Sequence, residues 1–462
     1  MLLRSSNIDA TQGSIIKKIF LYTFPLILST LIQKLFNAVD IVVLGNMADS
    51  NAIAAVSTTT SIVHLIVDSF VGLSSGTKII FARQFGARDG DRIKRTEDTS
   101  LILGVIIGIF VALVGLFFAP WFLNLMNCPE TCFDDAVIYI RVYICSAPAI
   151  MLYNFGSSVL TAAGDTQRPL YYIIAGGVLN LVLNVVLCLA LPQKVIAVAV
   201  ATAASQILCA ILVIRRLCKM DGFGKLIVKK MRFSWQAFGK IMSFGMPLAL
   251  NHAMYPIANM QIQSAVNAYG VAATAGHGAA ATLEGVLASF TAPFGTTCAT
   301  FMGQNFGAKI QERAKKSFRL CLGLGIFVGL VFGIGFTVIS PNILLPLILK
   351  DDVAAIDYGY WRMVFVSGFY FIAAMNTVLS SSIQAYGYSL ITAINSIVCI
   401  FCLRMAWMQW IYPPHQLIGE NFEGYKWLMA CYTVTWAFLL IANMVGNIVI
   451  RILAKKKGIK QI

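Results

Sequence analysis

Charged side chains are scarce in this sequence of 462 residues, where Asp, Glu, Lys and Arg together make up only 12% of the chain. Soluble domains carry about 25% charged residues, whereas 58% of this chain is hydrophobic. An ordinary soluble fold is excluded, because it would have too little polar surface to cover the apolar excess. Apolar runs of roughly twenty residues parted by short polar hinges predict a polytopic helical membrane protein.

Several sequence motifs are missing as well. The chain has no phosphate-binding GxxxxGK[ST] loop, no TVGYG-like ion filter and no sizeable soluble segment that could hold a catalytic centre. These absences argue against an ATP-driven pump, a channel and an enzyme. The eleven cysteines lie mostly inside apolar runs, where cysteine behaves as a small hydrophobe. We therefore expect no disulfide framework, no catalytic residues and no cofactor.

Positive charge is in excess, with 35 Lys and Arg against 20 Asp and Glu. The basic residues collect in alternate hinges and in both tails. The intervening hinges hold little more than Lys194, Lys350 and Lys426, with Arg141 and Arg362 near helix ends. Because basic residues mark the cytoplasmic side of membrane helices, both termini are predicted to be cytoplasmic. The same rule accounts for the net charge of +15 without a nucleic-acid partner.

The apolar runs, punctuated by proline and glycine, predict twelve transmembrane helices and an all-α fold class. The expected bounds are 15–45, 52–80, 93–118, 133–158, 168–191, 195–217, 238–268, 273–303, 314–340, 353–382, 388–411 and 427–453.

The sequence also repeats itself. Residues 85–95 read FGARDGDRIKR and residues 306–316 read FGAKIQERAKK, and the same spacing pairs the YxR motifs at 139–141 and 360–362. The repeat predicts two pseudo-symmetric lobes of six helices, an arrangement suited to a carrier that opens to each side in turn. The predicted segments are an N-terminal cytoplasmic segment (1–14), an N-lobe (15–217), a basic cytoplasmic linker (218–237), a C-lobe (238–453) and a basic cytoplasmic tail (454–462).

Polar side chains recur inside the apolar helices of the first half. Three predicted helices carry them: Gln33, Asn37 and Asp40 on the first, Asn180 and Asn184 on the fifth, and Thr202 on the sixth. At a rise of about 1.5 Å per residue, Asp40, Asn184 and Thr202 all fall in the outer half of the membrane. An ionisable residue at such a depth favours a functional role. The pattern predicts an ion-coupling site made of Asp40, Asn180, Asn184 and Thr202, which could hold a proton or Na⁺.

Other interpretations of these residues stay open. The Asp40 carboxylate could reach the interface from its position near a helix end, and buried asparagines often hold helices together. A less specific prediction is a substrate cleft, lined by Gln33, Asn37, Asn154, Asn259, Gln263 and Glu284. Lys34 and Arg404 are interpreted as long side chains that extend to an interface. The role of Asp68 is open, and His277 is expected at a loop edge.

Several stretches resemble the multidrug and toxic compound extrusion (MATE) family. They read PLILSTLIQKLFNAVDIVVLG (25–45), FARQFGARDGDRIKR (81–95) with its echo MGQNFGAKIQERAKK (302–316), LTAAGDTQRPL (160–170) and LNLVLNVVL (179–187). The resemblance covers essentially the whole chain. It implies twelve helices in two lobes, and export of a substrate against inward H⁺ or Na⁺.

The resemblance also implies roles for single residues. Asp40 matches the family's helix-1 acid of ion coupling, Asn180 a helix-5 asparagine beside it, and Thr202 a helix-6 oxygen ligand. Glu284 resembles an acid often seen early in the second half. Where many members carry a second acid on helix 5, this chain has Asn184, so the choice between H⁺ and Na⁺ stays open.

We therefore expect a cell-membrane antiporter that exports amphipathic, cationic organic compounds in exchange for H⁺ or Na⁺ by alternating access. Its expected partners are small organic substrates and membrane lipids, and it is expected to be monomeric. The alternatives are a flippase of lipid-linked sugars from the same superfamily and a membrane sensor without transport.

Overall fold

The computed structural model describes residues 8–47, 50–125, 128, 130–220, 222, 224–350, 352–413 and 422–456. Of residues 37–47, 50–54, 57, 60–62, 125 and 455–456 it describes the backbone alone. Within these ranges the regular structure is entirely helical, which confirms the predicted all-α class. The expected segments at residues 1–7 and 457–462 lie outside the described residues.

The α-helices, numbered in chain order, are α1 (Ile15–Met47), α2 (Ser50–Ala87), α3 (Gly90–Leu125), α4 (Phe133–Ile144), α5 (Ala147–Ala162), α6 (Gln167–Ala190), α7 (Lys194–Cys218), α8 (Trp235–Asn267), α9 (Val271–Gly307), α10 (Gln311–Ile339), α11 (Leu345–Leu349), α12 (Val353–Arg362), α13 (Tyr370–Ala385), α14 (Ser389–Ser396), α15 (Leu403–Ala406) and α16 (Glu423–Lys456). Short 3-10 turns lie at Glu130–Cys132 and Val228–Lys230, and π-helical segments at Ser340–Leu344, Met363–Ser367, Ile397–Cys402 and Trp407–Ile411.

Most of these helices are long and apolar enough to cross a membrane. Among the described residues, 8 helices meet this criterion alone, and up to 10 if each of two bent pairs is one span. The bent pairs are α4–α5, at 43°, and α12–α13, at 41°. Pro148 near the start of α5 accounts for the first bend, because proline lacks the N–H that would continue the preceding helix. The fourth and tenth predicted helices are thus each broken into two.

The chain forms two compact units. Unit 1 is Met1–Ser14, Phe20–Ala249 and Phe306–Lys309, and unit 2 is Ile15–Ile19, Leu250–Asn305 and Ile310–Ile462. The division falls inside α8, beyond the basic linker at 218–237.

Helix α5 is the centre of unit 1, where it packs against α2, α3 and α7, while α6 packs on α7. Phe155 and Val159 of α5 are 0% exposed. Glycine allows α2 and α8 to cross at close range, because a Cβ on Gly76 of α2 would lie only 2.6 Å from the Cα of Gly245 on α8. Small residues at such crossings let membrane helices approach each other closely.

Aromatic side chains dominate the core of unit 2. Helix α13 packs against α10 and α16, and the buried residues include Tyr370, Tyr425, Tyr432 and Trp436. Trp436 meets Tyr370 edge to face with their ring centroids 5.7 Å apart. Tyrosines at membrane depth each need a partner for the hydroxyl, so this core also holds polar chemistry.

The sequence repeat corresponds to a shared backbone turn. Arg88 and Lys309 occupy equivalent repeat positions and both have left-handed backbones, with φ of 54° and 61°. Their N–H groups donate to the carbonyl oxygens of Phe85 and Phe306, each at 3.1 Å. Two non-glycine residues in the same rare conformation support a common origin for the two halves.

Candidate functional site

Three of the residues predicted for ion coupling form a hydrogen-bonded chain between α6 and α7. Asn184 Nδ2 donates to Asn180 Oδ1 at 3.2 Å, and Asn180 Nδ2 donates to Thr202 Oγ1 at 3.3 Å. The Thr202 hydroxyl in turn donates to the Val198 carbonyl at 2.9 Å. Asn180 is 5% and Asn184 0% exposed. Because one N–H of each amide has a set acceptor, these bonds fix which way the two amides face.

This amide chain presents neutral oxygen atoms and no charge of its own. Amide and hydroxyl oxygens are ligands that hard cations accept, but a buried cation also needs a negative partner. For the predicted ion site, the two asparagines and the threonine would therefore supply only neutral ligands, and a carboxylate would have to come from another residue.

The acid expected to complete that site is Asp40, on the helical stretch of α1. The side chains of Asp40 and Asn37 lie outside the described residues, so their part in ion coupling stays a prediction. Gln33, the third residue of the predicted stripe, is exposed.

Two residues of the predicted cleft bond within their own helices. Asn154 Nδ2 donates to the Ile150 carbonyl at 2.9 Å, and Gln263 Nε2 donates to Asn267 Oδ1 at 2.9 Å. Such local bonds satisfy an amide in a helix without any ligand, so the structure gives neither residue a specific site.

The other two cleft residues belong to a polar cluster in unit 2. Glu284 of α9 forms an ion pair with Arg362 of α12, with Oε2 and Nη2 2.6 Å apart. Arg362 Nη1 also contacts the ring nitrogens of His277, and His277 Nδ1 lies 3.1 Å from the Tyr425 hydroxyl. Arginine can only donate, so Nε2, the ring nitrogen nearer to Nη1, has to be an unprotonated acceptor, while Nδ1 carries the proton beside the Tyr425 hydroxyl. His277 is therefore neutral.

Arg404 forms the second part of this cluster. Its Nη1 donates to Asn259 Oδ1 at 2.7 Å, and its Nε lies 3.5 Å from Thr435 Oγ1. The guanidinium carbons of Arg404 and Arg362 lie 4.5 and 5.0 Å from the centroid of the Tyr432 ring. One aromatic ring thus stabilises two cations through its π face.

Two expectations from the sequence are wrong here. Arg404 does not extend to an interface, since it is 1% exposed. Arg362 lies at a helix end, as expected, but its side chain is buried. His277 is not at a loop edge but is buried within α9. An arginine with a long flexible stem can reach water or stay inside, and its helix sequence does not decide between the two.

Little in the sequence predicts that Arg362 and Tyr432 belong to this cluster. The repeat pairs Arg362 with Arg141, which is exposed and donates to the Leu116 carbonyl at 3.1 Å. The same motif therefore carries a surface arginine in one unit and a buried one in the other. Tyr432 is one tyrosine among 16 and gains its position only from the tertiary packing.

Comparison with known proteins agrees with this architecture. The MatE family model matches residues 25–186 and 247–408. The chain is 24% identical over 399 residues to the Probable multidrug resistance protein YoeA of Bacillus subtilis (strain 168), which covers 85% of this chain and 86% of YoeA. It is 23% identical to the FAD transporter of Shewanella oneidensis, covering 85% and 86% of the two chains.

Among solved structures, a crystal structure of MATE in complex with MaL6 superposes with a TM-score of 0.86 at 19% identity, covering 98% of this chain and 99% of that one. The fold is therefore that of the twelve-helix, two-lobe transporters, as predicted. Since the family model matches well over half of the sequence, on both repeats, the chain belongs to the MatE family of multi-pass membrane transporters.

Proposed function

We propose that the protein is a secondary active antiporter of the cell membrane that exports amphipathic organic compounds, cationic ones included, in exchange for H⁺ or Na⁺. The observation that carries the proposal is the buried chain Asn184–Asn180–Thr202. Burying oriented amides at membrane depth costs free energy unless packing or a bound ion compensates for it. These amides lie in a protein of a transporter family.

Asp40 is the proposed coupling carboxylate. One carboxylate beside neutral amides can hold a proton or a Na⁺ ion and release it when the site opens to water. Export is then tied to ion entry, because the loaded and empty forms would favour different conformations. Both termini are proposed to be cytoplasmic and the protein to act as a monomer.

The test is dye efflux in everted membrane vesicles under a pH gradient and, separately, a Na⁺ gradient. Wild type should accumulate the dye under at least one of the gradients. The Asp40→Asn variant should lose gradient-driven accumulation by about tenfold or more, since it cannot ionise, while its membrane content stays at the wild-type level.

Asp134→Asn is the matched control, because Asp134 is an exposed acid at the start of α4 and its replacement should leave efflux unchanged. If Asp40→Asn extrudes dye at the wild-type rate, the coupling role is refuted. If wild type moves dye under neither gradient, the antiport proposal itself fails.

A flippase of lipid-linked sugars is the alternative, and unit 2 does bury two arginines. However, Glu284 neutralises Arg362, so one uncompensated positive charge is left among the described residues of this cluster. A pyrophosphate-linked substrate carries more negative charge than that. A membrane sensor without transport would show no gradient-driven efflux in the same assay.

A further inference from the structure

Arg404 is a buried cation whose described partners are all neutral. It is 1% exposed and contacts an amide, a hydroxyl and an aromatic ring. In the described part of the chain no carboxylate lies within ion-pair distance of it. Arginine stays protonated in proteins, so the charge is permanent, and at membrane depth it is costly.

The nearest acid of the cluster is already engaged. Glu284 pairs with Arg362, the other guanidinium on the Tyr432 ring, and His277 is neutral. Two guanidinium groups and one carboxylate leave this cluster with an excess of one positive charge. A neutral packing role would not require that charge, because an apolar side chain of similar volume often fills such a site at no loss of stability.

The backbone is irregular at both arginines. Arg404 lies on α15, a single helical turn between the π-helical segments Ile397–Cys402 and Trp407–Ile411. Arg362 is the last residue of α12, directly before the π-helical segment Met363–Ser367. Such π insertions occur frequently at functional sites. Here they accompany the two arginines that converge on one ring.

The Arg404 guanidinium also lies next to an accessible group. Its acceptor Asn259, on α8, is exposed, whereas Arg404 is buried. The Asn259 side chain can turn aside, and a ligand that replaces it would meet the guanidinium directly. Toward the described residues Arg404 donates through Nη1 and Nε, which leaves Nη2 as a donor for a second oxygen of the same ligand.

We propose that Arg404, with Asn259 and Tyr432, forms a subsite that binds the anionic group, a carboxylate or a phosphate, of an amphipathic organic substrate. The guanidinium fork matches two oxygens of such a group. Binding would replace the neutral acceptor Asn259 by a charged one and compensate the excess charge. The inference rests on the proposed transport function and assigns this subsite to those of its substrates that carry an anionic group, zwitterions among them.

The test compares two probes with one ring system, tetramethylrhodamine with a free carboxylate and its methyl ester. Binding to the purified full-length protein in phosphatidylcholine nanodiscs is measured by fluorescence polarisation. Wild type should bind the carboxylate more tightly than the ester. Arg404→Gln should weaken carboxylate binding by about tenfold or more, the loss typical of a hydrogen bond between charged groups, and leave ester binding unchanged.

Two further variants separate charge from packing. Arg404→Lys keeps the charge without the fork and should retain part of the preference for the carboxylate. Arg141→Gln, at the equivalent repeat position of Arg362 and exposed, should behave as wild type. If Arg404→Gln does not fold, the proposal is judged by the preference of wild type for the carboxylate probe and by how much of that preference Arg404→Lys retains.

The proposal is overturned if wild type binds the ester more tightly than the carboxylate. It is equally overturned if Arg404→Gln weakens the binding of both probes to the same extent, or weakens the binding of neither. It is also overturned if phosphatidylglycerol in the nanodiscs abolishes the preference, because the ligand is then a lipid headgroup. Efflux of both probes from everted vesicles tests the transport function separately. If neither is exported, that function fails, whereas the binding result still decides the subsite.

Discussion

At the scale of single residues, the two units bury different polar chemistry. Unit 1 holds the amide chain Asn184–Asn180–Thr202, which orients neutral oxygens. Unit 2 holds Arg362 and Arg404 on the face of Tyr432. Neutral amides can accept a cation only with an acid beside them, whereas the guanidinium excess attracts anions. The pseudo-symmetric sequence thus carries two unlike buried polar clusters.

Asn184→Asp should strengthen cation coupling. A carboxylate at this position, which is 0% exposed, would lie beside Asn180 and needs a proton or Na⁺ to offset its charge. We expect gradient-driven efflux to reach half its maximal rate at a several-fold lower Na⁺ concentration, or at a higher pH on the side from which the ion enters.

The control for that change is Asn154→Asp, which places a new acid on α5, where Asn154 bonds only within its own helix. It should leave the ion dependence of efflux as in wild type. An unchanged ion dependence in Asn184→Asp, with the protein folded, would separate the amide chain from coupling.

The amide chain could be predicted from the sequence, because asparagines one turn apart in an apolar helix have to face a polar partner. The guanidinium cluster could not. Whether Arg404 extends outward or stays inside depends on Asn259 and Tyr432, which come from helices distant in sequence. Nothing local to Arg404 distinguishes the two outcomes.

At the scale of helices and turns, the repeated FGA(R/K) motif ends a helix with a left-handed residue. Lys309, with φ of 61°, closes the turn between α9 and α10. A side chain in this conformation costs about 1–2 kcal/mol relative to the right-handed region, and glycine avoids that cost.

Lys309→Gly should therefore raise the free energy of unfolding by about 1 kcal/mol, somewhat reduced by the greater freedom of glycine in the unfolded chain. Lys316→Gly removes the same charge from an exposed position within α10. Because glycine is unfavourable inside a helix, this change should lower the free energy of unfolding by about 1 kcal/mol. Thermal unfolding of the two variants in detergent measures both. A lower melting temperature for Lys309→Gly would show that the lysine side chain has a specific role in the turn.

The helix ends on either side of Pro192 were predicted to within about one residue, since α6 ends at Ala190 and α7 begins at Lys194. The break between α4 and α5 at Pro148 was not predicted, because the fourth predicted helix ran through it. The equivalent break between α12 and α13 has a π-helical segment and no proline within it. A π turn needs no special residue, so hydrophobic periodicity misses it.

At the scale of the whole molecule, the distribution of basic residues predicts which ends of the helices face the cytoplasm. This orientation can be tested with single cysteines in a variant that lacks the native eleven. Asp134→Cys should react with a membrane-impermeant maleimide in intact cells, because its hinge holds few basic residues. Lys316→Cys should react only in everted vesicles. The opposite labelling pattern would place both termini outside.

The π-helical segments of unit 2 have a consequence for comparing the two halves of the chain. Each adds about one residue to a helical turn and so shifts the phase of every side chain that follows by about 100°. Residues that follow such a segment can then point to a different side of their helix from their counterparts in the other half. A few inserted residues, rather than many substitutions, are enough to give two duplicated halves different interiors.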